Sequence, residues 1–280
     1  MKVTVITINY NHSDGLQKTI ESVQKQTLTD FEYVIVDGNS TDGSREIIEA
    51  KEHEIRQKQI SFKYISEPDS GIYEAMNKGV RMANGDYCLF INSGDELYRD
   101  DVLANMQTCL GKEDIVCGDL CYGENNICPN PDTVTMRTFY KHTLYHQASF
   151  IRTQLLKEHP YDGNMRSAAD WKFFMHELVF RNATYKHLPV VVARFETGGV
   201  STTSRDVSQK EVLDELKKCF PERVLADYED YVFGCTPYRQ MFTTIEKIPP
   251  VKKIIYKVNV CILKVMNLWL KSEWIRTLKI

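Results

Sequence analysis

Four short apolar runs, set apart by helix-length stretches, limit this chain to few architectures. Val3–Ile8 is an unbroken run of β-branched residues, Tyr33–Val36 and Phe62–Ile65 are shorter, and Tyr87–Ile91 completes the series. Strands buried on both faces read as continuous apolar runs, and parallel neighbours need a long crossover between them. The intervening sequence supplies that crossover. Leu16, Ile20 and Val23 fall on one face of a helix expected over about 14–26, and Thr41 or Asp42 can cap a second helix that runs to about 57. A loop and a third helix are expected over 66–84. Strands alternating with helices at this spacing predict an α/β fold, its mostly parallel sheet flanked by helices on both faces.

Each run stops at a polar, turn-forming segment: Asn9-Tyr10-Asn11, Asp37-Gly38-Asn39-Ser40 and Asn92-Ser93-Gly94-Asp95. Open α/β sheets bind ligands just outside the carboxyl ends of their strands, so these segments are the candidate site. A carboxylate such as Asp37 can accept hydrogen bonds there from ribose hydroxyls or a base N–H, although Asp-Gly is also ordinary turn chemistry. The absence of a G-x-G-x-x-G or G-K-S/T loop argues against a dinucleotide or P-loop site. Asp95 is the candidate metal ligand, since a hard cation held by a carboxylate can offset the charge of a diphosphate; its alternative role is a loop or helix-capping aspartate. Asp170 follows Ser167-Ala168-Ala169 at the start of a helix expected over 170–181. It suits a base that takes a hydroxyl proton, and equally an N-cap. His146 can be a base, a metal ligand or a satisfied hydrogen-bonder, and Trp171 can stack on a sugar ring or belong to the core.

The second half is less regular. Strands are expected near 115–117, 149–151 and 189–195, a loop or hairpin over 122–135 and a short helix over 154–158. Net charge is −3, which gives no support for nucleic-acid binding, but residues 246–280 hold eight Lys/Arg against two Glu. That segment starts with Pro249-Pro250 and places Val258, Ile262, Val265 and Trp269 on one helical face, with Lys257, Lys264 and Lys271 beside it. It reads as an amphipathic basic helix that packs on the core, forms a homodimer contact or lies on an anionic membrane surface; its charges interrupt it too often for a span. Eight cysteines without a C-x-x-C pair, and no His at finger-like spacing, argue against a structural zinc site. The strand-like N-terminus carries no secretory leader, so a reducing cytoplasmic setting is expected, at the inner membrane face if the tail binds there.

Four segments in order, ITINYN, VIVDGNSTDGS, SEPDSGIYEAMNKG and ANGDYCLFINSGD, resemble family 2 glycosyltransferases, most closely the bacterial branch that builds capsule, lipopolysaccharide and exopolysaccharide. The likeness is strong over 1–98, looser through HQASFIR, YDGNMRSAADWKFF and ETGGVS, and says little about 206–280. It implies a GT-A (Rossmann-like) catalytic domain over 1–205, with a nucleotide-sugar half at 1–98 and an acceptor half at 99–205, followed by a C-terminal helical region. By resemblance, Asn9, Tyr10, Asp37, Asp69, Asn77 and the Asn92, Ser93, Gly94, Asp95 turn surround the nucleotide-sugar, a UDP-sugar with a GDP-sugar as the alternative. Asp95 then holds Mn²⁺ or Mg²⁺, His146 and Gln147 lie toward the acceptor or the diphosphate, with Trp171 beside the base on the acceptor side if it stacks on a sugar, and Asp170 is the base of an inverting transfer to a glycan or lipid-linked acceptor. Many relatives have D-x-D-D where this chain has N-S-G-D, and Glu-Asp where it has Ala169-Asp170. The missing carboxylates leave open a protein that binds nucleotide or glycan without turnover. A sugar nucleotidyltransferase is the other rival, but its Gly-rich basic loop is absent between Ile8 and Leu16.

Overall fold

The computed structural model describes residues 2–123, 125–196, 205–233, 245 and 248–270. It divides into two compact units, Met1–Cys219 and Phe220–Ile280. In the first unit one sheet runs β3-β2-β1-β4-β8-β6-β9-β5, with β7 paired to β6. The strands are β1 (Val3–Asn9), β2 (Glu32–Asp37), β3 (Ser61–Ser66), β4 (Tyr87–Phe90), β5 (Glu96–Leu97), β6 (Ile115–Tyr122), β7 (Asn126–Cys128), β8 (Ser149–Arg152) and β9 (Tyr185–Phe195).

The first four strands are parallel, as their continuous apolar pattern predicts. The helices between them are α1 (Ser13–Gln24), α2 (Ser44–Gln57) and α3 (Ile72–Met82). Val3 and Val5 pack with Leu16, Ile20 and Val23 of α1 in one core cluster. Ile6, from the other face of β1, lies against Gly79 of α3, where any Cβ would collide with it. Both faces of the sheet are therefore covered. The second half departs from the parallel expectation: β8 runs antiparallel to β4 and to β6, β6 and β9 are parallel, and β6 with β7 forms the hairpin expected over 122–135. Because β2 and β3 lie to one side of β1 and β4 to the other, the strand order reverses beside β1, which opens a crevice at the carboxyl ends of β1 and β4.

The remaining helices are α4 (Val102–Gln107), α5 (Met136–Lys141), α6 (Thr153–Glu158), α7 (Ala169–Met175), α8 (Arg205–Cys219), α9 (Glu222–Phe233) and α10 (Pro249–Leu270). The helix expected over 170–181 is α7 followed by a π turn, His176–Phe180. The domain boundary expected at 205 falls ahead of α8, but α8 belongs to the first unit. Its Glu211 accepts hydrogen bonds from the backbone N–H groups of Arg166, Ser167 and Ala168, just before α7. In the second unit, α10 begins at Pro249 as expected and exposes Val251, Ile254, Val258 and Ile262 at 3-4-4 spacing. The side chains of Lys264, Val265 and Trp269, and all of residues 271–280, lie outside the described residues, as does ETGGVS beyond Glu196. Among the described residues, no helix is long and apolar enough to cross a membrane.

Candidate active site

The crevice is built first from the ends of β1 and β2. Asn9 donates from Nδ2 to Asp37 Oδ1 at 2.8 Å, Ser40 Oγ donates to the same oxygen at 2.6 Å, and Ser66 Oγ and the Ser40 N–H reach Oδ2 at 2.7 and 3.0 Å. Burial pushes the Asp37 pKa up, but these four donors outweigh it and hold the carboxyl below the usual range. Asp37 is therefore fully buried and saturated. It ties three strand ends together, and Asn9, Ser40 and Ser66 occupy the oxygens that the sequence offers to ribose or base. Tyr10, 68% exposed, and the Asp69 carboxylate crowd the α-carbon of Gly38, so these two side chains form the open rim above the Asp37 brace. Asp69 has its pKa raised by burial, with Glu74 and Asp37 adding to the effect.

Beside this rim, the chain leaves β4 in the Asn92–Asp95 turn. Ser93 N–H still donates to Ile8 O at 3.1 Å, extending the ladder, and Gly94 then takes a φ of +99° that glycine adopts without strain. Thr19 of α1 anchors the turn, donating to Asp95 O at 2.7 Å and accepting from Gly94 N–H at 3.0 Å. The Asp95 side chain is 4% exposed, and its Oδ1 accepts from Glu196 N–H at 3.0 Å. Burial pushes its pKa up to about 6, against the stabilising effects of the Glu196 N–H, His146 and the Gln147 side chain. Gln147, expected toward the acceptor or the diphosphate, reaches the proposed metal carboxylate. Asn92 Oδ1 and Ser93 Oγ are buried without a partner among the described residues. A buried carboxylate whose charge its neighbours only partly offset, with two unpartnered oxygens in the same turn, fits a hard divalent cation. With one carboxylate and two neutral oxygens from the turn, the rest of the coordination shell would have to come from the ligand's phosphates and water. A cleft of about 290 Å³ adjoins the turn, bordered by Lys18, Gly94, Arg194 and Glu196 among others.

The third part comes from the mixed half of the sheet. Asp170 lies inside the first turn of α7, whose N-cap position is Ala168, so it does not cap its own helix. Its carboxylate faces inward, accepting from Tyr73 Oη at 2.9 Å and pairing with His146 Nδ1 at 3.0 Å. Burial works to raise its pKa, but His146, Tyr73 and the Trp171 N–H together hold it below the usual carboxylate range. Burial and the neighbouring Asp170 raise the Tyr73 pKa well above its ordinary value, so the phenol remains a donor. An ionised Asp170 fixes the proton on His146 Nδ1 and leaves Nε2, 3.4 Å from Asn92 Nδ2, as the acceptor. Asn92, His146 and Asp170 thereby form one chain from the β4 turn to α7.

Two expected site residues are used differently. Trp171 is buried and donates from Nε1 to Phe139 O at 2.7 Å, so it is a core residue and not an acceptor platform. Asn77 commits both ends of its amide to Tyr161, donating to its carbonyl at 2.8 Å and accepting from its N–H at 3.0 Å, which braces the loop before α7. Thr19, Tyr73 and Glu196 were not singled out by the sequence. Thr19 is one of several helix threonines and Tyr73 a helix aromatic; nothing local distinguishes either.

A doubly wound parallel half joined to a mixed half, with the Asn92–Asp95 turn at the switch point, is the GT-A architecture of nucleotide-sugar glycosyltransferases. Two solved structures share the architecture. Staphylococcus aureus TarS 1–349 in complex with UDP-GlcNAc superposes with a TM-score of 0.60 at 23% identity, covering 73% of this chain and 61% of that one, so this chain spans about three fifths of its length. The mannosyltransferase PcManGT of Pyrobaculum calidifontis, in complex with GDP-Man and Mn²⁺, superposes with a TM-score of 0.61 at 16% identity, covering 98% and 82%. The pattern of the family described as Glycosyl transferase family 2 matches residues 4–164, and the chain belongs to that family. A PGL/p-HBAD biosynthesis glycosyltransferase of Mycobacterium bovis is 33% identical over 218 residues, spanning 76% of this chain and 83% of the relative.

Proposed function

We propose that the protein is an inverting glycosyltransferase that moves a sugar from a UDP-sugar to a glycan or lipid-linked acceptor in cell-surface polysaccharide synthesis. The observation that carries this reading is the Asn92–His146–Asp170 chain, which joins the donor turn to an ionised carboxylate through one imidazole. Tyr10 and Asp69 would border the nucleotide over the Asp37 brace. Asp95, with Asn92 and Ser93 in the same turn, would hold Mn²⁺ or Mg²⁺, which when bound offsets the charge of the diphosphate leaving group. Asp170 would take the proton of the acceptor hydroxyl as that oxygen attacks the anomeric carbon from the face opposite the diphosphate. His146 and Tyr73 would keep Asp170 ionised and aimed. The names of the relatives and the UDP-GlcNAc complex of the staphylococcal neighbour support the choice of donor and pathway.

The test is Asp170→Asn. Transfer should be lost while metal-dependent UDP binding stays within a factor of about two of wild type. Full transfer by the variant would overturn the assignment of the base. If wild type binds UDP yet releases none from any UDP-sugar, the protein is a non-catalytic nucleotide binder instead. For the tail we propose a peripheral membrane role, because the exposed apolar face of α10 carries exposed Lys253 and Lys257 alongside. Failure to bind anionic vesicles at low salt would refute it.

A further inference from the structure

A second group of side chains, none of them among the residues around Asp95 and Asp170, sits where α8 meets the π turn. Glu211, Glu215 and Cys219 follow each other at intervals of four and so share one face of α8. Glu215 Oε1 lies 3.2 Å from His176 Nε2, and Cys219 Sγ lies 3.7 Å from that nitrogen and 3.8 Å from that oxygen. Among the described residues, this is the group in which at least three His, Cys, Asp or Glu ligand atoms converge closely enough to hold an ion.

We propose that His176, Glu215 and Cys219 bind a Zn²⁺-class dication as a structural site. The argument is first one of shape. Tetrahedral Zn²⁺ with ordinary bond lengths separates a nitrogen and an oxygen ligand by about 3.4 Å, and a sulfur from either by about 3.6 Å. The three observed separations match those edges within about 0.2 Å, so the ion could enter one face of the triangle with little side-chain movement. Chemistry narrows the ion, since a thiolate with an imidazole and one carboxylate suits zinc and disfavours magnesium or calcium. His176 opens the π turn, and interruptions of that kind recur at functional sites. His176 also borders a cavity of about 260 Å³, which leaves room for a water as fourth ligand. Lys172 Nζ competes at 3.1 Å from Glu215 Oε1, but it is also 3.0 Å from Asp162 Oδ2 and keeps that partner when Glu215 turns to a metal; Lys218 Nζ, 3.5 Å away, pairs with the other oxygen, Oε2.

The ligands come from two helices, with His176 some forty positions ahead of the other two, so no short cysteine motif announces them. A metal here would clamp α8 against the helix that carries Asp170, one turn beyond the Glu211 latch on residues 166–168.

The test uses the full chain stripped of metal. One equivalent of Co²⁺ should produce thiolate-to-cobalt charge-transfer absorption, which Zn²⁺ displaces and which is absent in Cys219→Ser and His176→Ala but kept in Cys128→Ser. Either variant could fail to fold, so alkylation of wild type is mapped by mass spectrometry with and without Zn²⁺. Zn²⁺ should slow iodoacetamide modification of Cys219 about tenfold and leave Cys109 and Cys128 unchanged. Equal modification of Cys219 with and without Zn²⁺, or a cobalt band that survives in Cys219→Ser, overturns the site.

Discussion

Replacing Asp95 by Asn should make the metal-free protein more stable while removing the carboxylate proposed to hold the cation. Burial moves the Asp95 pKa from 3.8 to about 6, so the folded state retains a proton that the unfolded chain has already released. The folded value is the higher one, so the stability from this group is fully present below about pH 4 and is lost as the pH rises through about 6. A displacement of about two pH units, at ~1.4 kcal/mol each, makes the ionised side chain cost about 3 kcal/mol at neutral pH. Asparagine keeps an oxygen for the Glu196 N–H, and Gln147 can turn its carbonyl toward the new amide, so about 1–3 kcal/mol of that should be recovered. The assay is urea unfolding in EDTA between about pH 5 and about pH 8, with wild type and variant side by side. The advantage of the variant should be small at the acid end and grow through neutrality. Added Mn²⁺ and UDP should then stabilise wild type and leave Asp95→Asn unmoved. A variant that is no more stable than wild type in EDTA at neutral pH, or a gap that ignores pH, would refute the reasoning.

Two further outcomes follow from the same geometry. Thr19→Val leaves the Gly94 N–H and the Asp95 carbonyl without their partner in a buried turn, and should cost about 2–4 kcal/mol in unfolding free energy and weaken metal-dependent UDP binding; Thr19→Ser, which keeps the hydroxyl, should lose less than half as much, and equal losses would count against the anchor. Tyr73→Phe removes a hydrogen bond to an ionised carboxylate and should cost about 1.5–3 kcal/mol. Because Asp170 is held ionised, its contribution is present above the unfolded carboxylate pKa and lost as the pH falls through the folded one. Tyr73→Phe should therefore raise the acid limb of the rate profile, and an unmoved limb sinks the pairing.

The parallel half of the fold could be read from the sequence because each element declares itself locally. Val3–Ile8 reads as a doubly covered strand, and the polar segments that stop the runs lie at the carboxyl edge of the sheet, where open α/β folds bind ligands. The mixed half was harder to read because β8 and β9 take their directions from partners far along the chain. The same division holds for the site. Asp95 and Asp170 stood out as carboxylates in suggestive places, but Asp170 gets its environment from Tyr73, 97 positions earlier, and from His146, 24 positions earlier. Trp171 and Asn77 show the opposite limit. Both have side chains suited to a ligand, and burial in one case and the Tyr161 backbone in the other assign them to the scaffold. Asp37 reads as an acceptor toward ribose or base, or as turn chemistry, because the sequence does not show that Ser40 and Ser66 close over it.

The Glu211 latch also sets the shortest fragment that should carry a working site. The family pattern stops at 164, six positions before the proposed base, and the sequence reading would trim the domain at 205. A cut at 164 removes the proposed base itself, and a cut at 205 strips the Glu211 carboxylate from three main-chain donors in the segment that leads into α7. Residues 166–168 would then be free to fray, and the base would sit on a loosened helix end. A fragment that keeps the latch on its helix should therefore include all of α8, which ends at Cys219.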